Sequence, residues 1–147
     1  MPLGVTAATE AVYEAFLSED RMKTFFHGHS YTANPLACAV GVASLQIFKE
    51  EPVLERIARL EQQLREGLKP LRELGEVRVL GGIGVVELTG GGYLDGVGPQ
   101  LAGEFLKRGL LLRPLGNVVY FLPPYCITEE ETDWALGQIR EVLSARL

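Results

Sequence analysis

The sequence predicts an α+β fold: a small, mainly antiparallel sheet with helices on one face. Three observations lead there. Leu54, Ile57, Leu60, Leu64, Leu68 and Leu71 recur at helical spacing, and Glu55, Arg56, Arg59, Glu61, Arg65 and Glu66 fill the opposite side. Residues 76–88, 110–114 and 118–122 are short runs rich in Val, Ile, Leu and aromatics, punctuated by Gly and Pro. Thr128 and Glu131 have the spacing of a capping box ahead of a last helix.

In order along the chain, residues 2–8 read as extended, and Thr9 is placed to cap a helix from Glu10 to Phe16. Residues 18–23 read as a polar loop, after which Phe25 and Phe26 are expected to anchor the next segment to the core. Asn34 is a good N-cap and Pro35 suits the first helical position, opening a helix from Leu36 to Phe48. Its apolar positions nearly surround it, which implies burial. Pro52 breaks it, and a long helix is expected from Val53 to Leu74, with Pro70 kinking or shortening the last turn.

The run from Glu76 to Leu88 reads as strand, with a bulge or hairpin turn at Gly81, Gly82 and Gly84. A glycine-rich connection through Asp95 and Gly96 follows. Gln100 to Arg108 reads as a helix closed by Gly109. Strands at 110–114 and 118–122 come next, with Asn117 in the turn between them. The final helix is expected to turn Trp134, Ala135, Ile139, Val142 and Leu143 inward.

The length of 147 residues is enough for a real core. A hydrophobic share of 47% against 22% charged is the balance of a globular protein rather than a disordered one. The formal net charge of −5 argues against nucleic acid or an anionic membrane as partner, since both favour a basic face. No signal-peptide pattern or membrane-spanning run is read, which points to the cytoplasm. Cys38 and Cys126 lie far apart and are expected to be buried free thiols, and no metal site is expected.

The richest chemistry lies at residues 26–34, where His27, Gly28, His29, Ser30, Tyr31 and Thr32 precede the Asn34 cap. A hydroxyl-rich loop at a helix start favours anions, because free N–H groups and the helix dipole point at it. The same residues also suit an ordinary turn, in which Ser30 and Thr32 bond locally. Arg113, between an apolar run and Pro114, offers a planar fork that fits a carboxylate, either a ligand's or that of Glu87 in a structural ion pair. Tyr120 alone reads as a core aromatic at strand spacing.

Three stretches carry a resemblance to the class III, fold-type I, pyridoxal-phosphate aminotransferases. The loop from His27 through Ser30, Asn34 and Pro35 to Ala39 is similar to a family segment. So are the strand from Arg78 through Gly81 to Glu87, and the late run from Arg113 and Pro114 to Tyr120, Pro123, Pro124 and Tyr125. The last is most similar to the branch that aminates 8-amino-7-oxononanoate in biotin synthesis.

The resemblance implies that residues 1–50 are a remnant of the large cofactor-binding domain, contributing two helices, and that residues 51–147 are the C-terminal small domain. It implies cofactor contacts from His29, Ser30 and Thr32, with the Ser30 hydroxyl on the phosphate across a dimer interface. It implies substrate contacts from Gly28, Arg113 and Tyr120, with Arg113 on the substrate carboxylate. Family members most often carry Thr where this chain has Ser30. The amino donor implied for the branch is S-adenosylmethionine.

Pyridoxal phosphate also needs a lysine amine for its aldehyde. Lys23, Lys49, Lys69 and Lys107 all fall in polar settings, without the apolar pocket that tunes such an amine. In the family that lysine precedes the segment that Met1 to Thr6 resembles, so no catalytic residue is assigned here. The chain is expected to be inactive alone, pairing as a homodimer or with a missing N-terminal part. The alternatives are a stand-alone binding or oligomerisation module, and a piece of another class III enzyme of the ornithine or γ-aminobutyrate type.

Overall fold

The leucine stripe at Leu60, Leu64 and Leu68 does fold as a helix in the computed structural model, which describes residues 1–94 and 96–145. Asp95, in the glycine-rich connection, lies outside the described residues. In chain order the elements are α1 (Glu10–Glu14), α2 (Pro35–Glu50), α3 (Val53–Leu68), β1 (Gly75–Leu80), β2 (Ile83–Leu88), α4 (Val97–Lys107), β3 (Val118–Phe121) and α5 (Glu129–Ser144). Short 3₁₀ segments lie at Arg21–Lys23 and Lys69–Glu73. The chain divides into two compact units, Met1–Glu51 and Pro52–Leu147.

In the second unit the order β1-β2-β3 is antiparallel throughout, and the fold is the expected α+β arrangement. Gly81, at φ +53°, opens the two-residue turn between β1 and β2. A left-handed residue at that position matches the twist of the strands it joins. The covered face is set by Gly84, Val86, Val119 and Phe121, which are buried. A Cβ on Gly84 would lie 2.7 Å from Leu68 Cδ1, so α3 lies close against this strand. Leu64, Leu68, Leu101, Phe105, Leu136, Ile139 and Leu143 complete one core with Val86 and Val119. The alternation of strand side chains leaves Arg78, Val85 and Tyr120, which face one another across the three strands, on the other face.

Several expectations are corrected. The long helix gives way to 3₁₀ at Lys69 rather than running to Leu74, because Pro70 has no N–H for the next α-helical bond. Leu110–Pro114 is not a ladder strand. The Leu112 N–H turns back to Leu110 O at 3.2 Å, and the nearest pairing is an isolated bridge between Leu115 and Val118. That bridge closes a turn through Gly116 and Asn117, so the segment pairs with its own continuation. Asn117 is buried and bonds Leu88 twice: its Nδ2 donates to Leu88 O at 2.9 Å, and its backbone carbonyl accepts from Leu88 N at 3.0 Å.

Helix α4 begins three residues earlier than read, since Pro99 is tolerated in a first turn. It ends as expected at Gly109, with φ +80° and its N–H on Leu106 O. Helix α5 carries the full capping box. Ala135, Ile139, Val142 and Leu143 are buried as read, joined by Thr132 and Leu136. Trp134 is not inward: it is 49% exposed and stands over Gly109, whose added Cβ would lie 3.9 Å from Trp134 Cη2.

In the first unit α1 stops at Glu14, and Thr9 holds the N-cap position without a side-chain bond. The turn at Arg21–Lys23 is capped by Asp20, which accepts from Met22 N at 3.0 Å. Helix α2 starts as read, with Asn34 Oδ1 accepting from Leu36 N at 3.0 Å and Ala37 N at 3.3 Å. Its expected burial is not found: Ala37 alone is buried on it, while Val42, Leu45 and Ile47 are exposed. An all-round apolar helix needs neighbours on every side, and fifty-odd residues cannot supply them. For the same reason Phe25 and Phe26 reach no core, at 68% and 84% exposed. The cysteines are free but exposed rather than buried.

Candidate functional site

The rings of residues 25, 27, 29 and 31 form a ladder of neighbours ahead of the Asn34 cap. Phe25 stacks on His27 with centroids 5.5 Å apart, His27 meets His29 edge-on at 6.4 Å, and His29 meets Tyr31 at 6.4 Å. Phe16 extends this ladder at 5.7 Å from Phe25. The His27 N–H donates to Phe25 O at 2.9 Å, so the backbone bends between the Phe25 and His27 rings. At Ser30 the chain enters a turn that ends at the Asn34 cap.

The turn is tied by its own polar groups. The His29 N–H donates to Thr32 Oγ1 at 3.1 Å, and the Thr32 N–H donates to His29 O at 3.0 Å. The Tyr31 N–H donates to His29 Nδ1 at 3.2 Å. The Asn34 N–H donates to Tyr31 O at 3.2 Å. Ala33 completes the turn in the left-handed region, at φ +53°, where a non-glycine residue costs about 1 kcal/mol or more. Thr32 Oγ1 is thus an acceptor here and keeps its own proton to give. Ser30 is exposed, with no hydrogen-bond partner among the described residues. A cavity of about 870 Å³ is lined by His27, His29, Tyr31 and Thr32 together with Met1–Gly4. Gly28, next to it, is exposed, and a Cβ there would meet nothing within 4 Å.

The remaining candidates lie in the second unit. Arg113 is exposed on the connection between α4 and β3, with no ion-pair or hydrogen-bond partner among the described residues. Glu87, the acid offered as its structural partner, is engaged instead by Arg78 at 2.8 Å, and Arg78 also reaches Glu76 at 3.2 Å. These two carboxylates raise the guanidinium pKa of Arg78 above its ordinary value, Glu87 most. Tyr120 is half-buried and stands on the open face of the sheet, away from the core.

All four lysines are exposed, and Lys107 pairs with Glu104 at 2.7 Å. Among the described residues no three His, Cys, Asp or Glu side chains cluster as a metal site would require. No helix among them is long and apolar enough to cross a membrane. Sequence reading missed that His29 serves its own turn through Nδ1. No spacing in the sequence signals that contact.

The chain is 43% identical over 97% of its length to the adenosylmethionine-8-amino-7-oxononanoate aminotransferase of Synechococcus elongatus, of which it covers 34%. To the enzyme of that name from Geobacter sulfurreducens it is 46% identical over 96% of its length, again covering 34%. The crystal structure of the Methanocaldococcus jannaschii enzyme of the same name superposes with a TM-score of 0.82 at 32% identity, over 93% of this chain and 34% of that one. The chain therefore spans about a third of the length of these relatives. The aminotransferase class-III family model matches residues 1–143, and the chain belongs to that family.

Proposed function

We propose that this chain is the C-terminal portion of a pyridoxal-phosphate aminotransferase that moves an amino group from S-adenosylmethionine to 8-amino-7-oxononanoate. Residues 1–50 belong to the large cofactor-binding domain in this reading, and residues 51–147 form the small domain. The whole enzyme is a cytoplasmic dimer acting on small molecules.

The observation that carries the reading is Arg113. It stands exposed with no ion-pair partner among the described residues, while Glu87, the acid considered as its structural partner, is committed to Arg78. A free guanidinium fork suits a substrate carboxylate. Tyr120, on the open sheet face, supplies an aromatic wall and a phenol for the same ligand.

The residues present fit one end of the cofactor and not the other. Ser30 and Thr32 offer hydroxyl protons, and His29 borders the same cavity, which is a donor set suited to phosphate. No lysine lies in an apolar pocket, so nothing here fits the aldehyde end. When bound, pyridoxal phosphate supplies the electron sink for amino transfer. This chain's own part is to grip phosphate and carboxylate and so orient both partners. The chain alone is expected to be inactive.

Mixing it with a polypeptide carrying the other two thirds of the enzyme tests this. Amino transfer to 8-amino-7-oxononanoate by the mixture, and by neither part alone, is the expected result. Turnover by this chain alone would overturn it, as would a stable monomer with no affinity for that polypeptide.

A further inference from the structure

We propose that residues 111–114 close on β3 as a fourth strand, and that the outer edge of β3 thereby positions Arg113 beside Tyr120. Leu115 and Val118 already exchange both backbone bonds, at 2.9 and 3.0 Å. An antiparallel ladder continued from that pair sets Pro114 opposite Val119, Arg113 opposite Tyr120 and Leu111 opposite Leu122. The side chains already keep this phase. Leu110 and Pro114 are buried and Leu112 is half-buried, matching the buried Val119 and Phe121 on the covered face. Leu111 and Arg113 are exposed, as alternation requires of residues paired with the open face, where Tyr120 stands.

The backbone groups that such a ladder needs are free. The Leu88 N–H donates to Asn117 O, so Val119 and Phe121 also bond toward β2, while Val118 and Tyr120 turn their N–H and C=O outward. Val118 spends both on Leu115, and Tyr120 has a partner for neither among the described residues. Bonded pairs alternate, so the next one is Arg113 with Tyr120. Pro114 falls between them, where its missing N–H costs nothing. The segment departs from strand at Leu111, where the Leu112 N–H turns back to Leu110 O at 3.2 Å. Once closed, the Arg113 and Tyr120 Cβ atoms stand about 5 Å apart, near enough for one carboxylate to take both the fork and the phenol. A ligand held by both groups favours the closed strand by that difference in contacts.

The register stands on the backbone alone; only its bearing on a carboxylate rests on the reading of Arg113 above. A cross-link tests the register without ligand. Leu111→Cys with Leu122→Cys, in a chain also carrying Cys38→Ser and Cys126→Ser, brings two thiols within disulfide reach when the strand closes. The expected result is ready oxidation to an intrachain disulfide, with the Arg113 and Tyr120 amides gaining protection from hydrogen exchange together. The shifted pair Leu111→Cys with Pro124→Cys should oxidise on the order of 10-fold more slowly. Equal oxidation of the shifted pair, or a Tyr120 amide left unprotected in the cross-linked chain, overturns the proposal. In the enzyme reconstituted from both parts, the cross-linked form should bind 8-amino-7-oxononanoate on the order of 10-fold more tightly than its reduced form, since an open strand lowers apparent affinity by the closed fraction. Equal binding by the two forms overturns the positioning of Arg113 by this edge. Binding that Arg113→Met leaves unchanged overturns instead the reading of Arg113 as the carboxylate's partner, and the cross-link still decides the register.

Discussion

The Glu61 carboxylate on α3 accepts the backbone N–H of Gly81, 2.9 Å away, at the tip of the β1–β2 hairpin. One helical turn on, Arg65 donates to the carbonyl of Val79 at 2.9 Å and pairs with Glu61. Helix α3 thus grips the hairpin at the end of β1 and at the first residue of its turn. Replacing Glu61 with Gln weakens that grip at Gly81. Amide hydrogen exchange at Gly81 is expected to speed up, while exchange in the middle of α3 stays as it was.

The same carboxylate shapes the acid limb of stability. The Arg65 hydrogen bond, and then the Gly81 N–H, hold the Glu61 pKa below its ordinary value. A depressed carboxylate adds stability above its unfolded value, and that share is lost as pH falls through the folded one. Lys107 acts likewise on Glu104. Urea denaturation from about pH 6 down to about pH 3 should therefore show falling stability. Glu61→Gln should flatten part of that slope and leave the part due to Glu104.

Gly116 and Gly103 should respond to alanine with opposite signs. Gly116 sits at φ +59°, and a Cβ there would strike the carbonyl oxygens of Tyr93 and Gly92. Gly103 lies inside α4 with open space around its Cα. Gly116→Ala is expected to lose on the order of 3 kcal/mol, from left-handed strain plus backbone displacement. Gly103→Ala is expected to gain about 0.5–1 kcal/mol from helix propensity and a stiffer unfolded chain. Chemical denaturation of both variants measures the contrast.

The capping box of α5 offers a coupled pair. Thr128 Oγ1 accepts from Glu131 N at 3.1 Å, and Glu131 Oε2 accepts from Thr128 N at 3.0 Å. Thr128→Ala is expected to cost about 1 kcal/mol. Adding Glu131→Ala should cost less than the two single losses together, because each bond fixes the geometry of the other.

What could be read in advance followed from local rules. The Asn34 cap, the Thr128–Glu131 box, the Gly109 stop and the Gly81 turn are each decided by a few neighbouring residues, and each formed. Burial was less legible, because it depends on what else surrounds an element. Val42 and Leu45 on α2 carry the sequence of a buried helix and are exposed, since the first unit is too small to enclose them. Trp134 fell on the wrong side of α5 because the core seam there is set by Leu136 and Thr132. Within the loop the residue types were legible but not their use. That His29 would turn Nδ1 onto the Tyr31 N–H depends on a backbone path no spacing rule supplies.

Arg113 gives the last prediction, made for the enzyme reconstituted from both parts. If its fork binds the substrate carboxylate, Arg113→Met should raise KM for the carboxylate substrate on the order of 100-fold, as expected for losing one partner of a desolvated charge pair. The kcat should change far less, because the contact exists before and after the transition state alike. Arg113→Lys keeps the charge but not the two-pronged geometry, so it should fall between wild type and Met. A methyl ester of the substrate should bind wild type and Arg113→Met about equally. A purely structural Arg113 would give the opposite pattern, with a lowered melting temperature and an unchanged preference for acid over ester. Glu87→Gln serves as the control: Glu87 is held by Arg78, so its loss should lower stability slightly and leave KM unchanged.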